Sequence, residues 1–294
     1  MKKEFGKGHC LYLIDGSGYI FRAYHALPPL TRRDGLPIGA VSGFCNMISK
    51  LLAEENNTGQ ATHIAVIFDH KGKTFRSSIY QQYKANRPPP PDDLIPQFGL
   101  IRKATIAFGL TSIEMKRYEA DDIIASYAKY AQSKGGTTKI ISSDKDLMQL
   151  IGDGISIYDP VKNKVLGLED VQNKFGVSPS KVVDVQALAG DSVDNIPGAP
   201  GIGIKTASQL INEFGDLETL LNNSHKIKQP KRKESLIKNE DKIKISKQLV
   251  ELKSNLKLPL SLDKLELGVI NPTEILTFTT EMELRSLTGR LSRF

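Results

Sequence analysis

Cysteine is scarce in this 294-residue chain, which contains only Cys10 and Cys45. Both lie in apolar stretches, so we expect neither disulfide bonds nor a zinc site built on thiolates. No apolar run reaches the roughly 20 residues of a membrane-spanning helix, and the first residues lack the apolar core of a secretion signal. Internal repeats and low-complexity tails are also missing. These absences predict a protein of the reducing cytoplasm with no membrane partner.

Acidic residues follow three strand-like segments. The segments and the acids that follow them are 9–14 with Asp15, 63–68 with Asp69, and 138–142 with Asp144 and Asp146. The carboxyl ends of parallel strands meet at one edge of a sheet, so we expect these carboxylates to share a rim. A single aspartate after a strand is an ordinary turn residue. The repetition favours a functional site over that alternative.

Further acids open a helix. Glu119, Asp121 and Asp122 precede the helical apolar pattern of residues 123–131, which ends before a Gly-Gly pair. The positive end of a helix dipole tolerates anions at that place. The sequence therefore predicts a second source of carboxylates for the same rim.

Crowded carboxylates need cations. Two charges ~4 Å apart repel by about 4 kcal/mol at an effective dielectric constant of 20. All the candidate ligands are oxygen donors, and no His or Cys falls at ligand spacing. Magnesium or manganese is therefore expected rather than zinc. A pair of such ions promotes in-line attack on a phosphodiester, so metal-dependent phosphodiester hydrolysis is our hypothesis.

The charge balance suits a polyanionic partner. Lys and Arg outnumber Asp and Glu by 40 to 33, which gives a net charge of +7. Between Lys226 and Lys257 bases dominate, as on a solvated helix face or a surface that extends a duplex-binding site.

Bases and aromatic residues alternate in residues 71–98, which end in a proline-rich stretch. Cations for phosphates and flat rings for bases are what single-stranded nucleic acid requires. An amphipathic helix with its aromatic side chains inward explains the same pattern. Arg22, after the Gly16–Gly18 turn, is consistent either with a phosphate contact or with a structural ion pair.

A hairpin between two helices is predicted further on. One helix ends near Gly190, another begins near Lys205, and Gly201 and Gly203 flank Ile202 in the turn. In a helix-hairpin-helix motif, backbone N–H groups at a helix start bind a phosphate without reading bases.

Two neighbouring features bear on this hairpin. Asp191 and Asp194 precede it and are placed to complete the acidic rim. A nucleotide-binding P-loop is excluded, because Ile204 stands where that motif requires lysine.

These stretches, from about Leu11 to the end of the chain, resemble the 5′-nuclease domain at the front of bacterial DNA polymerase I, a relative of flap endonucleases. The matching motifs are 66–69 followed by 73–76, then 83–89, 119–122, 144–147 and 190–198. The resemblance implies an α/β, PIN-like domain over residues 1–175, with a mainly parallel sheet and an arch at about 71–98. It also implies a helix-three-turn-helix (helix-hairpin-helix) domain over 176–294.

By the same resemblance, two Mg²⁺ ions, with Mn²⁺ as a substitute, are held by nine acids, and a K⁺ ion by the hairpin. The nine are Asp15, Asp69, Glu119, Asp121, Asp122, Asp144, Asp146, Asp191 and Asp194. Lys84 and Arg87 are expected on a gateway helix at the scissile phosphate, with Tyr83 supporting an unpaired base and Arg22 beside the active centre. The expected DNA contacts are Lys73, Phe75, Arg76, Tyr80, Gly201, Ile202, Gly203, Lys205 and Thr206.

The resemblance implies a 5′-3′ exonuclease or 5′-flap endonuclease that cleaves DNA and RNA primers in replication and repair. It implies a monomer in the bacterial cytoplasm, associated with the nucleoid and with a DNA polymerase in cis or in trans. Relatives commonly have a polar residue where this chain has Ile204, and we expect the backbone contacts of the hairpin to persist with isoleucine. The sequence to Phe294 contains no polymerase, so we expect either a free-standing nuclease or one part of a longer enzyme. The alternatives are another two-metal phosphoesterase or a non-catalytic module that binds branched DNA.

Overall fold

The computed structural model describes residues 4–291, in which a six-stranded sheet forms the centre. The strands are β1 Cys10–Asp15, β2 His63–Ile67, β3 Thr111–Ile113, β4 Thr137–Ile141, β5 Ile155–Asp159 and β6 Lys164–Leu166. Their order across the sheet is β3-β2-β1-β4-β5-β6, and only β6 runs antiparallel to its neighbour.

Helices cover the sheet and build a second unit beside it. They are α1 Gly16–Ala26, α2 Gly39–Thr58, α3 Phe75–Ile79, α4 Ile95–Ala107, α5 Ala120–Ser133, α6 Leu168–Phe175, α7 Val182–Ala189, α8 Ile204–Phe214, α9 Leu217–Asn222, α10 Pro230–Lys238, α11 Glu240–Val250, α12 Pro272–Glu281 and α13 Arg285–Leu291. We refer to α7–α11 as the helical unit. Among residues 4–291, no helix combines the length and the apolar character needed to cross a membrane.

The sheet topology confirms the predicted parallel arrangement. Strand β1 lies between β2 and β4, with Ile14 in register with Val66 on one side and Ile141 on the other. The acid-bearing ends of all three strands therefore meet at one edge. Since both faces are covered by helices, these strands are apolar throughout rather than alternating.

Two buried apolar clusters lie on the two sides of the sheet. One joins Ile140 of β4 and Ile124 of α5 to Leu188 and Leu249 of the helical unit. The other joins β1 and β2 to α1, α2, α4 and the C-terminal helices, where Phe278 is buried. Helices α12 and α13 thus pack on the part of the protein that contains the sheet, which we call the sheet domain. The sequence analysis had assigned them to the second domain. Their apolar side chains cover the α2–α4 layer, a tertiary contact that local patterns do not reveal.

The arch segment, residues 71–98, contains less helix than expected. Helix α3 spans five residues, turns occupy 81–86, and the predicted gateway helix around Lys84 is not formed. Lys84 has a φ of 54°, outside the helical region, and its backbone N–H donates to the carbonyl of Asp194 at 2.9 Å. Hydrogen bonds to the helical unit replace those of a helix.

Candidate active site

Seven carboxylates converge on one cavity of about 180 Å³ at the carboxyl edge of the sheet. They are Asp15, Asp69, Glu119, Asp121, Asp144, Asp146 and Asp194. Six come from the sheet domain, whereas Asp194 comes from the helical unit. We call this space the acidic cavity. The predicted convergence of acids that lie far apart in the sequence is therefore present in the structure.

Asp15 lies at the end of β1 and caps α1. Its carboxylate accepts hydrogen bonds from the N–H of Gly18 and the hydroxyl of Ser142, both at 2.8 Å. A Cβ at position 18 would lie 2.5 Å from Asp15 Oδ2, so glycine is needed there. Burial, reinforced by the charges of Asp69 and Asp144, raises the pKa of Asp15 to about 6.

The start of α5 is held against β2 by Asp69, which accepts a 2.8 Å hydrogen bond from the N–H of Ala120. This contact places Asp121 among the other acids. Burial raises the pKa of Asp121 well above its ordinary value, and Asp144, Asp15 and Asp69 raise it further. The cavity therefore brings carboxyl groups together where burial and mutual repulsion disfavour their ionised forms.

Asp144 and Asp146 follow β4. The N–H of Asp146 donates to Asp144 Oδ1 at 2.8 Å, and Gln186 Nε2 donates to Asp146 Oδ1 at 2.5 Å. Burial raises the pKa of Asp146 to about 6, with a contribution from Asp144. The sequence analysis missed Gln186, since a glutamine on an apolar helix carries no motif. The buried Oε1 of Gln186 has no hydrogen-bond partner among the described residues.

Asp191 and Asp194 lie in a tight loop of the helical unit. Gly190 and Gly198 pack against each other, so that a Cβ at position 198 would lie 2.5 Å from the Gly190 nitrogen. Asp191 pairs with Lys145, and this ion pair lowers the pKa of Asp191 although burial acts in the opposite direction. Asp191 is absent from the lining of the acidic cavity, unlike Asp194.

Three of the predicted catalytic side chains, Tyr83, Lys84 and Arg87, line the acidic cavity. Glu119 Oε2 is 3.1 Å from Lys84 Nζ and accepts a 3.0 Å hydrogen bond from the Tyr83 hydroxyl. Arg87 pairs with Asp194, and Lys84 Nζ lies 3.8 Å from the same residue. Burial alone would lower the pKa of Lys84, but Glu119, Tyr83 and Asp194 raise it above the ordinary value, so the side chain carries a positive charge.

Arg76 and Asp122 have a different place from the one predicted. Arg76 is 1% exposed and Asp122 is fully buried. The two guanidinium Nη atoms lie 2.6 and 2.8 Å from the carboxylate oxygens of Asp122. Asp122 therefore faces an arginine instead of a metal site, and Arg76 is placed inside the protein instead of on a DNA-facing surface. A buried charge is stable only with such a partner.

The remaining predicted contacts are divided between surface and interior. Lys73 is exposed, whereas the ring centroid of Phe75 lies 5.9 Å from that of Tyr118, with the rings tilted by 51°, and Tyr80 packs against the core. Arg22 is half-buried on α1 and does not line the acidic cavity, although the preceding Phe21 does. Phe75 and Tyr80 are thus directed inward, as the alternative interpretation of this segment expected, although the segment is not one amphipathic helix.

The hairpin between α7 and α8 forms as predicted. Gly201 has a φ of 79°, and Gly203 precedes the first turn of α8. Apart from the chain neighbours, no atom of residues 4–291 lies within 4 Å of a Cβ built at either glycine, so the backbone there is open to an approaching ligand. Ile202 is buried beneath the turn, Lys205 is exposed and Thr206 is half-buried.

The cavity fits hard divalent cations by its donor chemistry, since carboxylates are its only anionic groups. Within residues 4–291, however, no three Asp, Glu, His or Cys side chains form a ready-made metal cage. Several carboxylates are instead directed toward hydrogen-bond donors, as shown by Asp15, Asp69 and Asp146. A cation bound here would share these carboxylates with their hydrogen-bond donors.

Comparisons with known proteins agree with this geometry. The family model described as the 5′-3′ exonuclease N-terminal resolvase-like domain matches residues 10–176, and that of the 5′-3′ exonuclease C-terminal SAM fold matches 177–273. The chain is 55% identical over 290 residues to DNA polymerase I of Rhizobium leguminosarum, covering 97% of this chain and 28% of the polymerase. It is 37% identical over 277 residues to a 5′-3′ exonuclease of Aquifex aeolicus, covering 94% and 93% of the two chains.

A solved structure supports the fold. The flap endonuclease of bacteriophage T5, in a complex with DNA and metal ions, aligns with a TM-score of 0.69 at 21% identity. The alignment covers 97% of this chain and 98% of that one. The chain spans less than a third of the length of the DNA polymerase I relatives from Rhizobium leguminosarum and Bacillus caldotenax. Both family models match in sequence order and together span most of the protein, which therefore belongs to the 5′-3′ exonuclease family.

Proposed function

We propose that this protein hydrolyses phosphodiester bonds of DNA, and of RNA primers, at 5′ ends and 5′ flaps. The observation that carries the proposal is the acidic cavity itself, in which seven carboxylates face Lys84 and Arg87. Anionic groups to hold cations and cationic groups to hold a phosphate lie within one space. A protein that only binds DNA has no need to bury acids at this energetic cost.

The cations we propose are two Mg²⁺ ions, for which Mn²⁺ substitutes. The residues that would hold them, directly or through water, are Asp15, Asp69, Glu119, Asp121, Asp144, Asp146, Asp191 and Asp194. Such ions supply a nucleophile at neutral pH and neutralise charge on the reacting phosphate. Asp122 is left out of this set because Arg76 occupies its carboxylate.

The side chains of the arch segment perform the other part of the chemistry. The Lys84 ammonium and the Arg87 guanidinium are held at the cavity by Glu119 and Asp194, ready to receive a phosphate. Cations placed in advance where negative charge develops are a main source of catalysis. Tyr83 is buried against the cavity and presents one ring face to Lys84, whose Nζ lies 5.0 Å from the ring centroid. We propose that its ring supports an unpaired base.

The helical unit is proposed to hold the downstream duplex. The open backbone at Gly201 and Gly203 is accessible to a phosphate, and Lys205 and Thr206 follow at the start of α8. Backbone contacts of this kind bind DNA without sequence preference, which suits a nuclease that recognises structure. A K⁺ ion at this turn belongs to the same proposal. Lys73 and Arg22 stay proposed DNA-facing residues.

The cellular role follows from the relatives. The similarity to DNA polymerase I supports primer removal and repair next to a polymerase, in cis or in trans. We also propose that the protein acts as a monomer in the bacterial cytoplasm. In this proposal, residues 1–175 form the nuclease domain and the helices after residue 176 bind the DNA duplex. Helices α12 and α13 are the exception, because they pack on the sheet domain.

A labelled oligonucleotide with a 5′ flap tests the proposal directly. The protein should release short 5′ products with Mg²⁺ and none with a chelator. Asp69→Ala should abolish cleavage and leave duplex binding within about twofold. Binding without any cleavage would instead support the non-catalytic branched-DNA module. Equal hydrolysis of a small phosphate ester would support another phosphoesterase.

A further inference from the structure

Arg76 uses all its hydrogen-bonding capacity inside the protein. Its Nε donates to the carbonyl of Leu249 at 2.7 Å, and its two Nη atoms donate to Asp122 at 2.6 and 2.8 Å. Two longer contacts, each of 3.4 Å, reach Glu119 Oε2 and the carbonyl of Glu251. A guanidinium has five N–H donors in a fixed plane, and these five contacts account for them.

These contacts connect two parts of the molecule. Leu249 and Glu251 lie at the end of α11 in the helical unit, whereas Glu119 and Asp122 lie at the start of α5 on the sheet domain. Because the guanidinium is planar, its acceptors cannot move independently while the contacts persist. The position of α11 is thereby coupled to the start of α5.

Glu119 transmits that coupling to the acidic cavity. Its Oε2 receives the contact from Arg76 and also those from the Tyr83 hydroxyl and the Lys84 ammonium. Without Arg76, Glu119 Oε2 would lose one of these three contacts and keep those from Tyr83 and Lys84.

We propose that Arg76 is a positioning residue, which fixes Glu119 against the end of α11 and so sets the geometry in which the cavity binds divalent cations and presents Lys84. Asp122 is its counter-charge. The inference rests on the proposed function, because it assigns a role within the same site. Groups that orient metal ligands influence metal affinity by about tenfold or more when removed.

The test compares Arg76→Met and Arg76→Lys with a matched control. Asp184→Asn disrupts another ion pair of α11, in which Lys247 Nζ lies 2.9 Å from Asp184 Oδ1, and this pair has no contact with Glu119. Three quantities are measured for each full-length variant: the melting temperature without metal, the Mn²⁺ concentration for half-saturation by electron paramagnetic resonance, and the Mg²⁺ midpoint of single-turnover cleavage.

Both Arg76 variants should raise the Mn²⁺ and Mg²⁺ midpoints by about tenfold, Arg76→Lys less than Arg76→Met because it keeps the charge. The control should lower the melting temperature and leave both midpoints within twofold. A folded Arg76 variant with unchanged Mn²⁺ binding would overturn the proposal. Failure of both variants to fold would also overturn it, since Arg76 would then act on the whole fold.

The Mn²⁺ measurement separates this inference from the proposed function. If the unaltered protein binds Mn²⁺ but cleaves no flap substrate, the proposed activity is wrong. The effect of Arg76 on metal binding is then still measured by the Mn²⁺ concentration for half-saturation.

Discussion

Gln186 of the helical unit donates a hydrogen bond to Asp146 of the sheet domain, with 2.5 Å between Nε2 and Oδ1. Gln186 is 4% exposed, so water does not readily replace it as a donor. The amide holds a cavity carboxylate from the opposite side of the domain boundary. Gln186, which is not an acidic residue, thus orients the carboxylate of Asp146.

Gln186→Ala should raise the Mg²⁺ concentration needed for half-maximal cleavage by about tenfold, because Asp146 loses the donor that orients it. The measurement is a Mg²⁺ titration of single-turnover cleavage. Gln172→Ala, at an exposed position of α6, is the control and should leave the midpoint unchanged. An equal midpoint in both variants would show that the amide does not orient the carboxylate.

Asp121→Asn should stabilise the metal-free protein at pH 7 while abolishing cleavage. Folding raises the pKa of Asp121, chiefly by burial, and each unit of such a shift costs about 1.4 kcal/mol when the group is ionised. The cost is present above the folded pKa and disappears as the pH falls toward the ordinary value. Thermal unfolding with a chelator should therefore show a gain for Asp121→Asn that is larger at pH 7 than at pH 5. Exposed Asp92→Asn serves as the control. No gain at either pH would contradict the assigned cost of ionising Asp121 in this buried position.

Added Mg²⁺ should raise the melting temperature of the unaltered protein, because a ligand that binds only the folded state stabilises it. The increase should be smaller in Asp121→Asn, whose cavity has lost one negative charge. Differential scanning fluorimetry over a range of Mg²⁺ concentrations measures both values. Ca²⁺ and Na⁺ at matched ionic strength distinguish binding from general screening. An identical increase with Na⁺ would argue against a specific cation site.

Lys84→Ala should slow the chemical step by about 10²- to 10³-fold, as expected for removal of a charge that stabilises the reacting phosphate. Substrate binding should weaken far less, since many other contacts hold DNA. Single-turnover rates and binding in Ca²⁺ give the two quantities. Lys103→Ala, exposed on α4, removes an equal charge away from the cavity and should change neither by more than twofold. A similar loss of binding and rate for Lys84→Ala would indicate a role in affinity alone.

Gly198→Ala should destabilise the protein and impair the loop that carries Asp191 and Asp194. The residue has a φ of 57°, and a Cβ there would lie 2.5 Å from the Gly190 nitrogen. A cost of about 1 to 3 kcal/mol is expected for such strain. Gly99→Ala in α4 is the control, because a Cβ there meets no atom within 4 Å. That control should be neutral or slightly stabilising in chemical denaturation, since alanine favours helix.

Local patterns were sufficient to predict the three acid-bearing strands, β1, β2 and β4, and their acids, whereas the short strands β3 and β6 were not predicted. Asp15 and Asp69 each follow a short apolar strand, and parallel pairing alone brings such ends together. No single segment of the sequence reveals that β1 lies between β2 and β4. That order was not needed for the prediction, because any parallel sheet of these three strands places their acids on the same edge.

The errors concern residues whose roles depend on distant partners. Arg76 and Asp122 are 46 positions apart, and each resembles a surface residue in its own segment. One local signal was present, the three-residue spacing of Glu119 and Asp122. An acid at the third position of a helix often accepts a hydrogen bond from the backbone N–H of the N-cap residue. In the structure, Asp122 Oδ2 accepts such a bond from the N–H of Glu119 at 3.1 Å. The prediction of a gateway helix around Lys84 was wrong, because a backbone hydrogen bond to Asp194 fixes Lys84 in a turn.

The apolar cluster that joins Ile140 and Ile124 to Leu188 and Leu249 crosses from the sheet to the helical unit without interruption. Shared interior surface of this kind couples the unfolding of the parts that share it. We therefore expect the two family-defined portions to unfold as one cooperative body, so that heat melts them in a single transition instead of two successive ones. Neither portion would keep its buried surface covered if it were expressed alone.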